Sequence, residues 1–198
     1  AYEIPKRDWS SDVCSSDLLS FIPIKSLIAS EILKRLKAGA GAKDVSDMTC
    51  PFTGERYVAM RALVPDIAFI HVQSADAEGN CRIDGPRWEN EEQAKAAKRL
   101  IVVAEEIVPT EFFQREPERT IIPGHRVEAV IHQPFGAHPT AVYGRYDYDG
   151  AHLKTYVEFS KPGKAGAYID AYIRGTKNHA EYLEKTGGAA RQAELTAD

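Results

Sequence analysis

No stretch of this sequence approaches the roughly 18 consecutive apolar residues that a membrane-spanning helix needs. Its longest apolar runs, residues 67–70 and 100–104, are strand-sized. The first 20 residues are polar and lack the apolar core of a secretory signal. Cysteine is scarce: Cys14, Cys50 and Cys81 form no C-x-x-C pair, so a zinc site or a redox motif has little support. Sparse, unpaired cysteines fit a reducing compartment, and a cytoplasmic location without a membrane partner is expected. Clustered Lys and Arg are also missing. Basic residues are scattered among acids in a chain of formal net charge -4, which argues against a nucleic-acid partner. The run Gly39–Lys43 (GAGAK) follows a predicted helix instead of opening one, so it is a poor phosphate loop. There is no G-x-S-x-G nucleophile elbow. His125 and His132 flank a predicted strand with no Asp or Cys at ligand spacing, and no metal is expected.

What is present has the composition of an ordinary globular domain: 198 residues, 43% of them hydrophobic. One segment does not fit. Residues 7–18, RDWSSDVCSSDL, show no helical or strand period and resemble the translation of a sequencing adaptor. Residues 1–18 are therefore expected to be artefactual or displaced, and Trp9 and Cys14 carry no functional reading. The intact protein is expected to extend upstream of Leu19. Residues 19–187 then form one partial domain, and 188–198 a frayed, flexible tail.

Residues 67–72 (IAFIHV) and 100–103 (LIVV) are nearly all apolar, the signature of central parallel strands covered by helices on both faces. Between them, residues 87–99 read as a helix, with Glu89, Glu91 and Glu92 early and Lys95, Lys98 and Arg99 late, in keeping with the helix dipole. The three together make a βαβ unit. Upstream, 21–24 reads as extended and 26–37 as a helix capped by Ser26, while 43–53 reads as irregular and 57–63 as extended. Downstream, residues 150–159, 163–174 and 177–185 read as helices. The fold class is thus α/β, with a mostly parallel sheet, flanking helices and a C-terminal helical segment.

The most informative stretch is 126–149, RVEAVIHQPFGAHPTAVYGRYDYD. Val127, Ala129 and Ile131 alternate with Arg126, Glu128 and His132, the period of a half-buried strand that ends at Pro134. A compact loop follows: Phe135, Gly136, Ala137, His138 and Pro139. Ligands of open α/β sheets sit at loops leaving the carboxyl ends of strands. His138 can bind a carboxylate, polarise a carbonyl or shuttle a proton, or it can simply shape the loop. Gln73, where the central strand meets its loop, can touch a substrate. His71, within an apolar strand, reads as a satisfied core histidine. Glu105 and Glu106 are adjacent on a strand and point to opposite faces, so they do not form a dyad; a solvated strand end is the favoured reading. Tyr143, Tyr146 and Tyr148, with Asp147 and Asp149, can line a pocket or a polar rim.

The blocks SFIPIKSL, TCPFTGERYVA, ALVPDIAFIHVQSADAEGNCRIDG, AAKRLIVVAEEIVP, IIPGHRVEAVIHQPFGAHPTAVYGRYDYD and GTKNHAEYLEK resemble, in order, the α subunit of glutaconate-type, family I coenzyme A transferases. The PDIAFIHVQSADAEGN and QPFGAHP blocks are the specific ones. The resemblance implies a Rossmann-like mixed sheet, a β-subunit partner and an acyl-CoA thioester as substrate, with no permanently bound cofactor. It implies acyl transfer through a glutamyl-CoA thioester on the β chain, so no nucleophilic glutamate is assigned here. Phe135, Gly136, Ala137 and His138 match a loop expected near the acyl group and the subunit junction. Gln73 and Asp76 match the loop after the central strand. The family's N-terminal glycine-rich oxyanion segment has no counterpart, and the chain is expected to be inactive alone. Competing expectations are a CoA-thioester hydrolase or ring-opening subunit of the same family, a non-catalytic ligand-sensing domain of the same fold, and a structural subunit.

Overall fold

A computed structural model describes residues 2–3, 20–161 and 165–196; the adaptor-like segment 7–18 lies outside them. In chain order the elements are β1 (Tyr2–Glu3), β2 (Phe21–Ile24), α1 (Glu31–Ala38), β3 (Val45–Thr49), β4 (Arg56–Arg61), β5 (Ile67–Ala75) and β6 (Cys81–Arg82). There follow α2 (Asn90–Ala96), β7 (Arg99–Ile107), α3 (Thr110–Arg115), β8 (Ala129–His132), α4 (Gly150–Phe159), α5 (Ala165–Tyr168), α6 (His179–Lys185) and α7 (Gly188–Leu195). The main sheet is mixed, in the order β1-β8-β7-β5-β6. Strands β5, β7 and β8 run parallel, with Phe69 opposite Ile101 and Ile101 opposite Ala129, while β6 and β1 pair antiparallel at the edges. A separate antiparallel sheet has the order β2-β4-β3, and its strand β3 leads directly out of a 3-10 turn, Ala40–Asp44, that follows α1.

The expected βαβ unit is β5-α2-β7. One sheet face is the core: Ala68, Ile70, Val72, Leu100, Val102, Ala104 and Val130 are all buried beneath Ala94 and Ala97. Each Val, Leu or Ile among them contributes about 1.5–3 kcal/mol when fully buried. Contrary to expectation, the opposite face is not covered along its length. Phe69 is 65% exposed and Ile67 41%, and Ile101, Val103, Ala129 and Ile131 are only half-buried.

Several boundaries differ from the sequence reading, each for a local reason. The first helix starts at Glu31 and is capped by Ser30, whose hydroxyl accepts from the Leu33 amide, because Ala29 adopts φ 63 and cannot be helical. Trp88 at φ 47 delays α2 to Asn90, and Arg99 already belongs to β7. Residues 45–49, read as irregular, form β3 against β4. The strand after Arg126 begins late, because residues 124–126 make a 3-10 turn, and its buried positions are Val127 and Val130 instead of a strict alternation. The second C-terminal helix turns into a π-helix over Ile169–Arg174. The expected frayed tail is corrected as well: Gly188–Leu195 is a helix, held by the buried Leu195 and by the Asp147 amide donating to the Leu195 carbonyl. Among the described residues no helix is long and apolar enough to cross a membrane.

Candidate functional site

The parallel strands β5, β7 and β8 end at the same side of the sheet; the Phe135–His138 turn follows β8 there, while Gln73 and Asp76 lie at the end of β5 and bond other partners. Gln133 donates its amide to the Ala104 carbonyl as the last rung of β8. The chain then turns at Phe135, whose φ of 56 starts a tight turn closed by the His138 amide on the Phe135 carbonyl. Gly136 is required because the turn lies directly over β5. An added Cβ would sit 2.7 Å from the Gln133 carbonyl and 3.0 Å from His71 Cε1. The His138–Pro139 bond is cis.

Glu105, at the end of β7, lies beneath this turn. Its side chain is buried, and it accepts from His71 Nε2, from the Tyr146 hydroxyl and from the Phe135 amide, each at 2.7 Å. Tyr146 also accepts from the Ala137 amide at 3.1 Å and stacks on Phe135 with ring centroids 4.4 Å apart. Burial alone would raise the Glu105 pKa. The hydrogen bonds from His71, Tyr146 and Phe135 outweigh it and hold the carboxyl below its usual range. The same burial, followed by the Glu105 charge, pushes the Tyr146 phenol well up, so it stays a neutral donor. Glu106 points the other way, exposed, to Arg145. The opposite-face reading of the two glutamates therefore holds, but Glu105 is not a solvated strand end.

A second buried carboxylate grips the far side of the loop. Asp149 caps α4 by accepting from the Ala151 and His152 amides. It also accepts from Arg191 of α7 and, at 3.2 Å, from His138 Nε2. Arg191 foremost holds its carboxyl far below the ordinary aspartate value. The other His138 nitrogen meets the Tyr182 hydroxyl at 2.7 Å. The His138 ring, only 2% exposed, is therefore saturated by protein partners. Beside it, Pro139, Tyr168, Tyr172, Thr176 and Tyr182 line an open depression of about 550 Å³.

The remaining candidates are also engaged within the fold. Gln73 is buried. Its amide group donates to the carbonyls of Asp84 and Tyr143, and its oxygen accepts from the Asp84 amide. Asp76 is 0% exposed and spends its carboxylate on the Glu78 and Asn80 amides and the Asn80 side chain. That turn is seated by Gly124, whose amide donates to Asn80. Sequence reasoning missed Glu105 as part of the site, along with its partner His71 and the Asp149–Arg191 pair. Parity puts Glu105 on the strand face of Ile101 and Val103, but only the structure shows that the loop folds toward that side. Among the described residues no group of His, Cys, Asp or Glu is arranged to hold a metal ion.

A mixed, centrally parallel sheet with the Phe135–His138 turn at its carboxyl ends defines an α/β protein of the open-sheet class. The coenzyme A transferase family model matches residues 25–133, and the chain belongs to that family. The A-subunit of glutaconate CoA-transferase from Acidaminococcus fermentans is 42% identical over 135 residues, 68% of this chain and 42% of that protein. The A-subunit of 3-oxoadipate CoA-transferase from Pseudomonas knackmussii is 36% identical, over 72% of this chain and 50% of its own length. The crystal structure of glutaconate CoA-transferase from A. fermentans superposes with a TM-score of 0.83 at 35% identity, covering 89% of this chain and 59% of that one. The chain thus spans about half the length of the curated relatives it matches.

Proposed function

We propose that the chain belongs to the α subunit of a heteromeric acyl-CoA:carboxylate CoA-transferase that works with a β subunit. Its substrate is a coenzyme A thioester, and it has no resident cofactor. The carrying observation is the Phe135–His138 turn, displayed where three parallel strands end and braced from below by Glu105 and from the side by Asp149. In this reading the turn contributes the α-side wall of an acyl pocket at the subunit junction. Gln73 and Asp76 serve it by fixing the end of β5, and the His138 ring by locking the turn's exit.

The covalent chemistry falls to a glutamate of the β subunit. Its carboxylate attacks the thioester carbonyl and expels CoA thiolate, leaving an acyl-glutamyl anhydride. The thiolate then attacks the glutamyl carbonyl, releasing the donor carboxylate and leaving enzyme-bound glutamyl-CoA. An acceptor carboxylate reverses the sequence. The names of the two relatives, each one component of a multi-chain transferase, support a second chain.

The test is co-expression of the complete gene with a β-type partner, followed by an assay of CoA movement between carboxylic acids. Acceptor-dependent formation of a new thioester is the expected result. Release of free CoA that ignores the acceptor would replace the transferase reading with a hydrolase. No turnover of any thioester would remove the enzymatic reading.

A further inference from the structure

We propose that Glu105 is a positioning residue of this site: one buried carboxylate that sets the backbone of the Phe135–Ala137 turn at both ends. The inference rests on the reading of that turn as an acyl-pocket wall. One Glu105 oxygen takes the Phe135 amide directly, at 2.7 Å. The other takes the Tyr146 hydroxyl at 2.7 Å, and that hydroxyl takes the Ala137 amide at 3.1 Å. Two amides flanking Gly136 are thus tied to a single ionised group, one directly and one through a phenol. His71 Nε2, at 2.7 Å on the same oxygen as Tyr146, holds the carboxylate in place from β5. The stacked Phe135 and Tyr146 rings stiffen the same unit, so the turn cannot shift without breaking charge-assisted bonds in a buried setting.

Stability alone does not call for a charge at this position. A buried charge is weak stabilisation compared with an apolar filling of similar volume. What it supplies is geometry: acceptors aimed at backbone donors that an apolar side chain would leave unsatisfied. Displacing a binding wall by about 1 Å costs on the order of 100-fold in rate. The group's depressed pKa agrees with a carboxylate that stays ionised throughout the neutral range.

The test uses the assembled αβ complex carrying Glu105→Gln, Tyr146→Phe, or both. Glu105→Gln keeps the volume and one acceptor, yet it turns the second oxygen into a donor that clashes with Tyr146 and His71. Tyr146→Phe keeps the stack on Phe135 and removes only the relay to Ala137, so it serves if Glu105→Gln fails to fold. Expected are falls in kcat/KM for the acyl-CoA of about 10- to 100-fold for Glu105→Gln and about 10-fold for Tyr146→Phe, with the double variant no worse than Glu105→Gln alone. In parallel, the amide resonances of Phe135 and Ala137 should both move in Glu105→Gln, and only that of Ala137 strongly in Tyr146→Phe. Unchanged kcat/KM per folded molecule, fully additive losses, or an unmoved Phe135 amide would each overturn the proposal. A wild-type complex without acceptor-dependent transfer would instead refute the functional reading, and the two amide signals would then decide the clamp by themselves.

Discussion

Replacing Asp149 by Ala removes the other buried brace, and its cost can be worked from the contacts. The carboxylate is 2% exposed and caps α4 through the amides of Ala151 and His152, both at 3.0 Å. Losing an N-cap costs about 1 kcal/mol. The His138 ring, itself 2% exposed, then has a nitrogen facing no acceptor, which costs about 1–3 kcal/mol. The Arg191 pair is lost as well, but Arg191 is 31% exposed and can turn to water, so the cap and the stranded ring set a lower bound. The sum is about 2–4 kcal/mol. Urea unfolding of the wild type and of Asp149→Ala and Asp149→Asn should show a lowered midpoint at constant slope, with the Asn variant least affected because its oxygen still caps the helix. The effect also has a pH signature. The Asp149 pKa is lowered in the folded state, so the contribution is complete above the ordinary aspartate value of 3.8 and fades as pH falls through the folded value. The wild-type advantage over Asn should therefore be flat from pH 7 to 5 and shrink only in stronger acid. A loss below about 1 kcal/mol for Asp149→Ala would refute the picture of a buried hub.

Gly124→Ala would place a Cβ 2.1 Å from the Glu78 carbonyl, so the Asp76 turn or the 3-10 turn must move. A destabilisation above about 2 kcal/mol is expected in a thermal scan, and wild-type stability would show that the two turns are not in register as described. Cys81 is buried, and burial pushes its thiol well up, whereas the Thr53 hydroxyl beside Cys50 lowers that one. Iodoacetamide followed by mass spectrometry should therefore label Cys50 under native conditions and Cys81 only after unfolding. Early labelling of Cys81 would contradict the packing of β6.

The βαβ centre was legible because residues 67–72, save His71, and 100–103 are apolar and lie at the right separation for one helix. The loop after His132 was legible because Pro134, Gly136 and Pro139 punctuate it. The braces were not, since each joins residues far apart in the chain: His71 with Glu105, Glu105 with Tyr146, Asp149 with Arg191. Strand parity separates Glu105 from Glu106 but does not say which of them a later loop will cover. The tail misled for a similar reason. Residues 188–198, following the helix stop at Gly187, read as a frayed terminus, yet Arg191 reaches Asp149 and Leu195 joins Val142 and Tyr146 in a small cluster. In β5 and β7 the uniform apolar character correctly marked central strands but could not reveal that one face stays open along Ile67 and Phe69.

That open face has a practical meaning for anyone preparing the protein. A bench-side stock of this polypeptide by itself carries a greasy strip on the open side of its sheet, with Phe69, 65% exposed, at its crest and Ile67 beside it along β5. Strips of that kind self-associate and cling to hydrophobic dyes and resins. Turbidity on concentration and a bright ANS signal from material with intact near-UV dichroism would trace to this surface, and neither should be mistaken for misfolding.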